Sequence, residues 1–190
     1  MIYQEDIDKS LEALHRGGVI LYPTDTVWGI GCDAINEAAV ERIYAIKRRS
    51  ETRAMLTLVN DFDMLAEYVD KSNVLLTEKL IDDNATRPVT VIYPKTKNMA
   101  TNLIADDGSV GIRVVCEPFC RQLIKFFGRA IVSTSANISG DPTPAIFDEI
   151  SEEIKASVDY IVRWRQDDRQ PATPSSIVKL NADGSVTVLR

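Results

Sequence analysis

Residues 110–135 read VGIRVVCEPFCRQLIKFFGRAIVSTS. The strand-like run Val110–Val115 gives way to a helical pattern over Phe119–Phe127, and a second buried-strand run covers Ile131–Ser133. Strand, helix, strand is the unit of α/β layering, and the rest of the chain repeats it. Further strand-like runs fall at Val19–Tyr22, Met55–Val59, Val89–Tyr93 and Tyr160–Val162, and helical patterns lie between them at Asp61–Tyr68, Val74–Asp82 and Ile146–Ser157. Ile7, Leu11 and Leu14 mark an amphipathic helix stopped by Gly17-Gly18. Asn36 can cap a helix through about Ile46, and Val27–Gly31 reads as a turn or a strand. Ser176–Leu180 and Val186–Leu189 flank a short loop containing Gly184, as in a β-hairpin. The expectation is a mixed sheet with flanking helices.

The chain has 190 residues, 45% of them apolar and 26% charged, which suits one large globular domain or a tight pair and excludes two independent enzymes. With 22 basic and 28 acidic residues the net charge is −6, so any anion site must be local. The first residues carry no basic and apolar leader, and no apolar run approaches a membrane span, so a cytoplasmic location away from the membrane is expected. Three cysteines, Cys32, Cys116 and Cys120, lack the spacing of a zinc or disulfide framework and read as reduced structural thiols. No protein-held metal site is expected. Phosphate-loop, dinucleotide-loop and zincin motifs are absent, and His15, the only histidine, reads as a surface or boundary residue.

Three polar segments remain. Lys47, Arg48, Arg49 and Arg53 crowd one helix end, which is either a polyphosphate site or a solvated basic terminus favourable to the helix dipole. Ser133 to Gly140 carries five small hydroxyl or amide side chains directly after a buried strand, where a ligand or a capped turn would both fit. Tyr22 to Gly31 leaves another strand through Pro23 and places Thr24 and Thr26 before two glycines, again a ligand loop or a structural turn.

Taken together these segments resemble the YrdC-type family, the threonylcarbamoyl-AMP synthases of tRNA modification. The matching stretches are Pro23-Thr-x-Thr-Val-x-Gly-x-Gly31, Lys47-x-Arg49, Arg87-Pro-Val-Thr90, Ser109-Val-Gly-Ile-Arg113, Ser133 to Gly140, Ser175-Ser-Ile-Val178 and Val188-Leu-Arg190. They keep their order over nearly the whole chain. The resemblance implies an α/β fold, YrdC/RibB-like, with a twisted mixed sheet around a concave, positively charged cleft. It also implies one such domain over residues 1–190, without the extra C-terminal domain of the longer branch. The implied reaction condenses L-threonine, bicarbonate and ATP to threonylcarbamoyl-AMP and pyrophosphate, with Mg²⁺ bridging phosphates, and a partner transferase then modifies the tRNA adenosine next to the anticodon.

By the same resemblance Lys47 and Arg49 would be catalytic. They would meet the phosphates with Arg53, and Ser109, Ser135, Asn137, Thr143 and Arg190 would complete the ATP side. Thr26, Arg113, Ser133 and Ser175 would hold threonine. Ser50, Arg53, Arg87 and Leu58 depart from the common pattern, Leu58 standing where some relatives have a histidine near threonine. Two alternatives stay open: a carbamoyl- or nucleotidyl-transferring relative with another acceptor, and an RNA-binding module.

Overall fold

A computed structural model describes residues 3–48, 55–83, 87–171, 174–181 and 183–190. Along the chain come α1 (Gln4–His15), β1 (Ile20–Tyr22), β2 (Gly29–Gly31), α2 (Glu37–Lys47), β3 (Leu56–Val59), α3 (Phe62–Tyr68), α4 (Lys71–Asp83), β4 (Val89–Tyr93) and β5 (Val110–Val114). They are followed by α5 (Pro118–Phe127), β6 (Ile131–Ser135), α6 (Glu152–Ser157), β7 (Tyr160–Ile161), β8 (Ser176–Leu180) and β9 (Val186–Val188). The strands form one mixed sheet in the order β7-β1-β2-β6-β3-β5-β4-β8-β9. The pairs β1–β7, β3–β5 and β4–β8 are parallel and the others antiparallel. The α/β expectation holds, as does the terminal hairpin.

Local chemistry sets the helix ends. Asn36 accepts a hydrogen bond from the Ala39 amide at 3.1 Å and starts α2, while left-handed Arg48 ends it. Glu117 accepts from the Cys120 amide at 2.7 Å, Pro118 fills the first turn of α5, and Gly128 at φ 73° closes it. The apolar side of α5, with Phe119, Leu123, Ile124 and Phe127, is buried. His15 is exposed and lies beside the Phe127 ring, as expected of a boundary residue.

Two expectations need correction. The helical pattern at Ile146–Ser157 is split: a single 3₁₀ turn covers Phe147–Glu149, Ile150 turns extended and is buried, and Ser151 caps α6 by accepting from the Ile154 amide. Burying both Ile150 and Ile154 on the core overrides the continuous helical period. Strand β6 also runs two residues beyond Ser133, so Thr134 and Ser135 are strand residues rather than loop.

Residues directly across a sheet share a face, and alternate residues along a strand return to it. Gly29 faces Ser135, Ser133 faces Leu56, Leu56 faces Gly111, Leu58 faces Arg113, and Thr90 faces Ile177. Ile92 also faces Gly111, which brings Thr90, two residues earlier, onto the same face. One side of the central sheet is thus a floor of hydroxyls, two glycines and a guanidinium. Where strands meet tightly, glycine is required: a Cβ on Gly31 would lie 2.2 Å from the Val132 carbonyl oxygen. A Cβ on Gly111 would meet only ordinary contacts at 3.7 and 3.9 Å. Gly31→Ala is expected to cost about 3 kcal/mol, as overpacking against rigid backbone does. Gly111→Ala should change stability by less than about 1 kcal/mol. Urea unfolding of the two variants checks both.

Candidate active site

Above this floor lies an open cavity of about 530 Å³. Thr24, Thr26 and Val27 of the β1–β2 loop form one wall, and Ser133 and Ser135 of β6 rise from the floor. Thr143, Ser175 and Arg190 close other sides. Ligand pockets commonly measure roughly 300–1,000 Å³ and carry a few convergent polar groups, and this one fits that description.

Arg113 is the buried charge at its centre, with its side chain 3% exposed. Its Nη2 sits 3.2 Å from Asp25 Oδ1, whose side chain is 7% exposed, and its Nη1 donates to the Thr26 hydroxyl at 3.2 Å. The Arg113 Nε has no hydrogen-bond partner among the described residues. Asp25 also accepts from the Cys116 amide at 3.4 Å, which ties the loop to the start of α5. Thr24 organises the same loop: its hydroxyl donates to the Val27 carbonyl at 2.8 Å and accepts from the Thr26 amide at 3.0 Å. At the other end of the floor Thr90 and Ser175 share a hydroxyl–hydroxyl bond of 2.9 Å, and the Arg190 Nε donates to the Ser175 carbonyl at 3.2 Å.

Of the residues expected on the threonine side, Thr26, Arg113, Ser133 and Ser175 all line the cavity. Of those expected on the ATP side, Ser135, Thr143 and Arg190 line it too. Arg49 and Arg53 lie outside the described residues. Lys47 is buried and does not line the cavity; its ammonium donates to the Ser135 carbonyl at 2.6 Å, the Asn137 carbonyl at 2.7 Å and the Asn137 side-chain oxygen at 3.4 Å. Its own carbonyl accepts from the Ser139 amide, so Lys47 holds the Ser-rich loop from below by side chain and main chain. The solvated-terminus reading therefore fails for Lys47, while Arg48 is exposed and pairs with Glu153. Asn137 lines a neighbouring cavity of about 390 Å³ that shares Thr143, and its carboxamide donates to the Asp141 carbonyl.

Ser109 is buried outside the cavity, donating hydroxyl and amide to Asp107, which also pairs with Lys179 at 3.0 Å. Leu58 is fully buried in the strand register opposite Arg113, and Arg87 is exposed. Sequence reading gave Asp25 and Thr90 no role in the site, although Thr90 ends one of the matching stretches. Asp25 stands between two hydroxyls that were singled out, and a carboxylate there is a visible signal; Thr90 joins the site only through strand register.

Burial pushes Tyr22 well above its ordinary value and does the same for the Cys32 and Cys120 thiols. Neither thiol is bonded in a disulfide, and Cys116 is exposed.

A family model for Sua5, YciO and YrdC proteins, described as "Telomere recombination", matches residues 12–190. The chain belongs to this family. A threonylcarbamoyl-AMP synthase of Pseudoalteromonas translucida is 32% identical over 160 residues, spanning 84% of this chain and 86% of the relative. The crystal structure of E. coli YciO superposes with a TM-score of 0.81 at 26% identity, covering 98% of this chain and 89% of YciO. That of P. abyssi Sua5 complexed with L-threonine gives 0.82 at 23% identity. This chain spans 54% of that Sua5 protein, and the likeness is one of fold.

Two outcomes are expected. Asp25→Ala leaves the Arg113 charge buried without its carboxylate and should cost about 3 kcal/mol in urea unfolding. Asp107 is held down to about 2, chiefly by the Ser109 hydroxyl, from an ordinary 3.8. A depressed carboxylate stabilises the fold above its ordinary value and loses that contribution as pH falls through its folded value. Melting temperature followed from pH 4 to pH 2 should therefore fall less steeply in Asp107→Asn than in the wild type.

Proposed function

We propose that the protein is an L-threonylcarbamoyladenylate synthase. The observation that carries this is the convergence of Thr26, Arg113, Ser133 and Ser175 with Ser135, Thr143 and Arg190 around one cavity. The synthase relatives, spanning most of both chains, support the same reading. The P. abyssi Sua5 structure, whose fold this chain shares, is a complex with L-threonine.

The threonine carboxylate meets the Arg113 guanidinium, and the hydroxyls of Thr26, Ser133 and Ser175 orient the rest of the amino acid. Its amine condenses with bicarbonate, releasing water, and a carbamate oxygen attacks the α-phosphorus of ATP. The new P–O bond forms as the bond to pyrophosphate breaks. Two anions must approach while charge grows on the leaving group, so catalysis is chiefly positioning and cationic stabilisation. Arg49 and Arg53 supply those charges by their place after α2, with Ser135, Thr143 and Arg190 on the nucleotide. Lys47 contributes a fixed positive charge beneath the end of β6 at Ser135 and the loop carrying Asn137. Ser109 belongs to the ATP-side set by the resemblance; it is buried outside the cavity, where its hydroxyl is held by Asp107. Mg²⁺ would come with the nucleotide in this reading and would supply charge neutralisation on the phosphates, beside the cations of this chain. A partner transferase in the cytoplasm would pass the threonylcarbamoyl group to the adenosine beside the tRNA anticodon.

The test is HPLC and mass spectrometry of the protein with ATP, Mg²⁺, bicarbonate and L-threonine, read promptly because the mixed anhydride hydrolyses. Threonine-dependent threonylcarbamoyl-AMP and pyrophosphate are expected; ATP binding without an adduct would assign the cleft another acceptor. Arg49→Ala should lower turnover about 100-fold with an unchanged melting temperature, the loss expected for one charge-stabilising donor. Near-normal turnover in that variant would remove Arg49 from the phosphates.

A further inference from the structure

We propose that Arg165 is a positioning residue for the threonine side of the cavity, acting through the loop at Thr24–Thr26. This rests on the synthase reading above. Arg165 lies on the segment between β7 and β8, which leads to Ser175 at the cavity edge. It occupies the left-handed region at φ 66°, which costs an ordinary residue roughly 1–2 kcal/mol. Its side-chain bonds offset that cost: Nε and Nη2 donate to Asp168 Oδ2 at 3.0 and 2.9 Å, and Nη1 donates to the Thr24 carbonyl at 3.2 Å. Nη1 also sits 3.9 Å from Glu117, the residue that caps α5.

The Thr24 carbonyl belongs to the residue whose hydroxyl sets the whole loop. Thr24 Oγ1 accepts from the Thr26 amide and lies 3.1 Å from the Thr26 hydroxyl, which in turn receives Arg113 Nη1. Arg165, Thr24, Thr26 and Arg113 therefore form one chain of contacts, running from a surface segment to the buried guanidinium on the floor. A small recess of about 10 Å³ lined by Arg165 and Asp168 shares Thr24 and Thr26 with the main cavity, so the clamp sits directly beside residues that line it. Residues on the ATP side, Ser135, Thr143 and Arg190, make none of these bonds. Loss of the clamp should therefore loosen the threonine wall and leave the nucleotide wall in place.

The experiment measures threonylcarbamoyl-AMP formation by the wild type, Arg165→Ala, Arg165→Lys and Asp168→Asn, with KM determined separately for threonine and ATP. Amide hydrogen exchange over residues 24–28 is followed in the same proteins. Arg165→Ala should raise KM for threonine about tenfold, as loss of a charge-assisted hydrogen bond does, with KM for ATP within about twofold. Exchange over residues 24–28 should quicken by a similar factor. Lysine keeps the charge but cannot hold Asp168 and the Thr24 carbonyl through separate donors, so Arg165→Lys should fall between the wild type and Arg165→Ala. Asp168→Asn, which keeps the arginine, should shift the same quantities in the same direction by about threefold, and it decides the matter if Arg165→Ala fails to fold. The proposal is overturned if KM for threonine does not move, if both KM values rise together, or if lysine rescues nothing. A wild type that makes no adduct overturns the synthase reading instead, and unchanged exchange over residues 24–28 then overturns the clamp on its own.

Discussion

A guanidinium with almost no exposure cannot be left uncompensated, because removing a charge from water costs several kcal/mol even after the protein relaxes. Arg113 meets that demand with Asp25 and Thr26, two residues some ninety positions earlier in the chain. The pair thus fixes the β1–β2 loop over β5 and gives the cavity one wall and its only buried arginine among the residues described as lining it. Asp25 in turn reaches the Cys116 amide and Arg165 reaches the Thr24 carbonyl. The charge is buried at a place where the fold converges on it from several directions.

Lys47 plays the corresponding part across the cavity. A buried ammonium needs acceptors, and the carbonyls of Ser135 and Asn137 provide them within 2.7 Å, so the end of α2 and the loop after β6 hold each other. Both walls are therefore set by cations bound to carboxylate, hydroxyl and backbone oxygens, and the small side chains between them leave the floor open. Tyr22 and the buried thiols remain protonated, and the lone histidine lies elsewhere. The site holds positioned donors and charges, which suits a displacement at phosphorus that depends on orientation and charge stabilisation.

The fold class was legible because the signals were local. Apolar runs such as Val89–Tyr93 and Ile131–Val132 are buried strands, the Asn36 cap opens α2, and Gly128 closes α5. Ile146–Ser157 misled because a helical period and a sequence that buries Ile150 and Ile154 around a Ser151 cap look alike without the core they pack on. The polar segments were also visible as segments, and seven of the residues expected at the site, Thr26, Arg113, Ser133, Ser135, Thr143, Ser175 and Arg190, line one cavity.

The sequence by itself determined the alternation of strands and helices, the caps, and the three polar clusters, since each depends on neighbours a few residues apart. Tertiary structure decided which side chains of those clusters face the same space. Strand register brings Thr90 to the floor and sets Leu58 opposite Arg113, neither of which can be read from the spacing of either strand alone. It turned Lys47 under the loop and Ser109 toward Asp107, and it gave Arg113 its partner in Asp25. The reason is physical: a buried charge or hydroxyl takes the nearest acceptor in space, and that neighbour is fixed only once strands distant in sequence have paired.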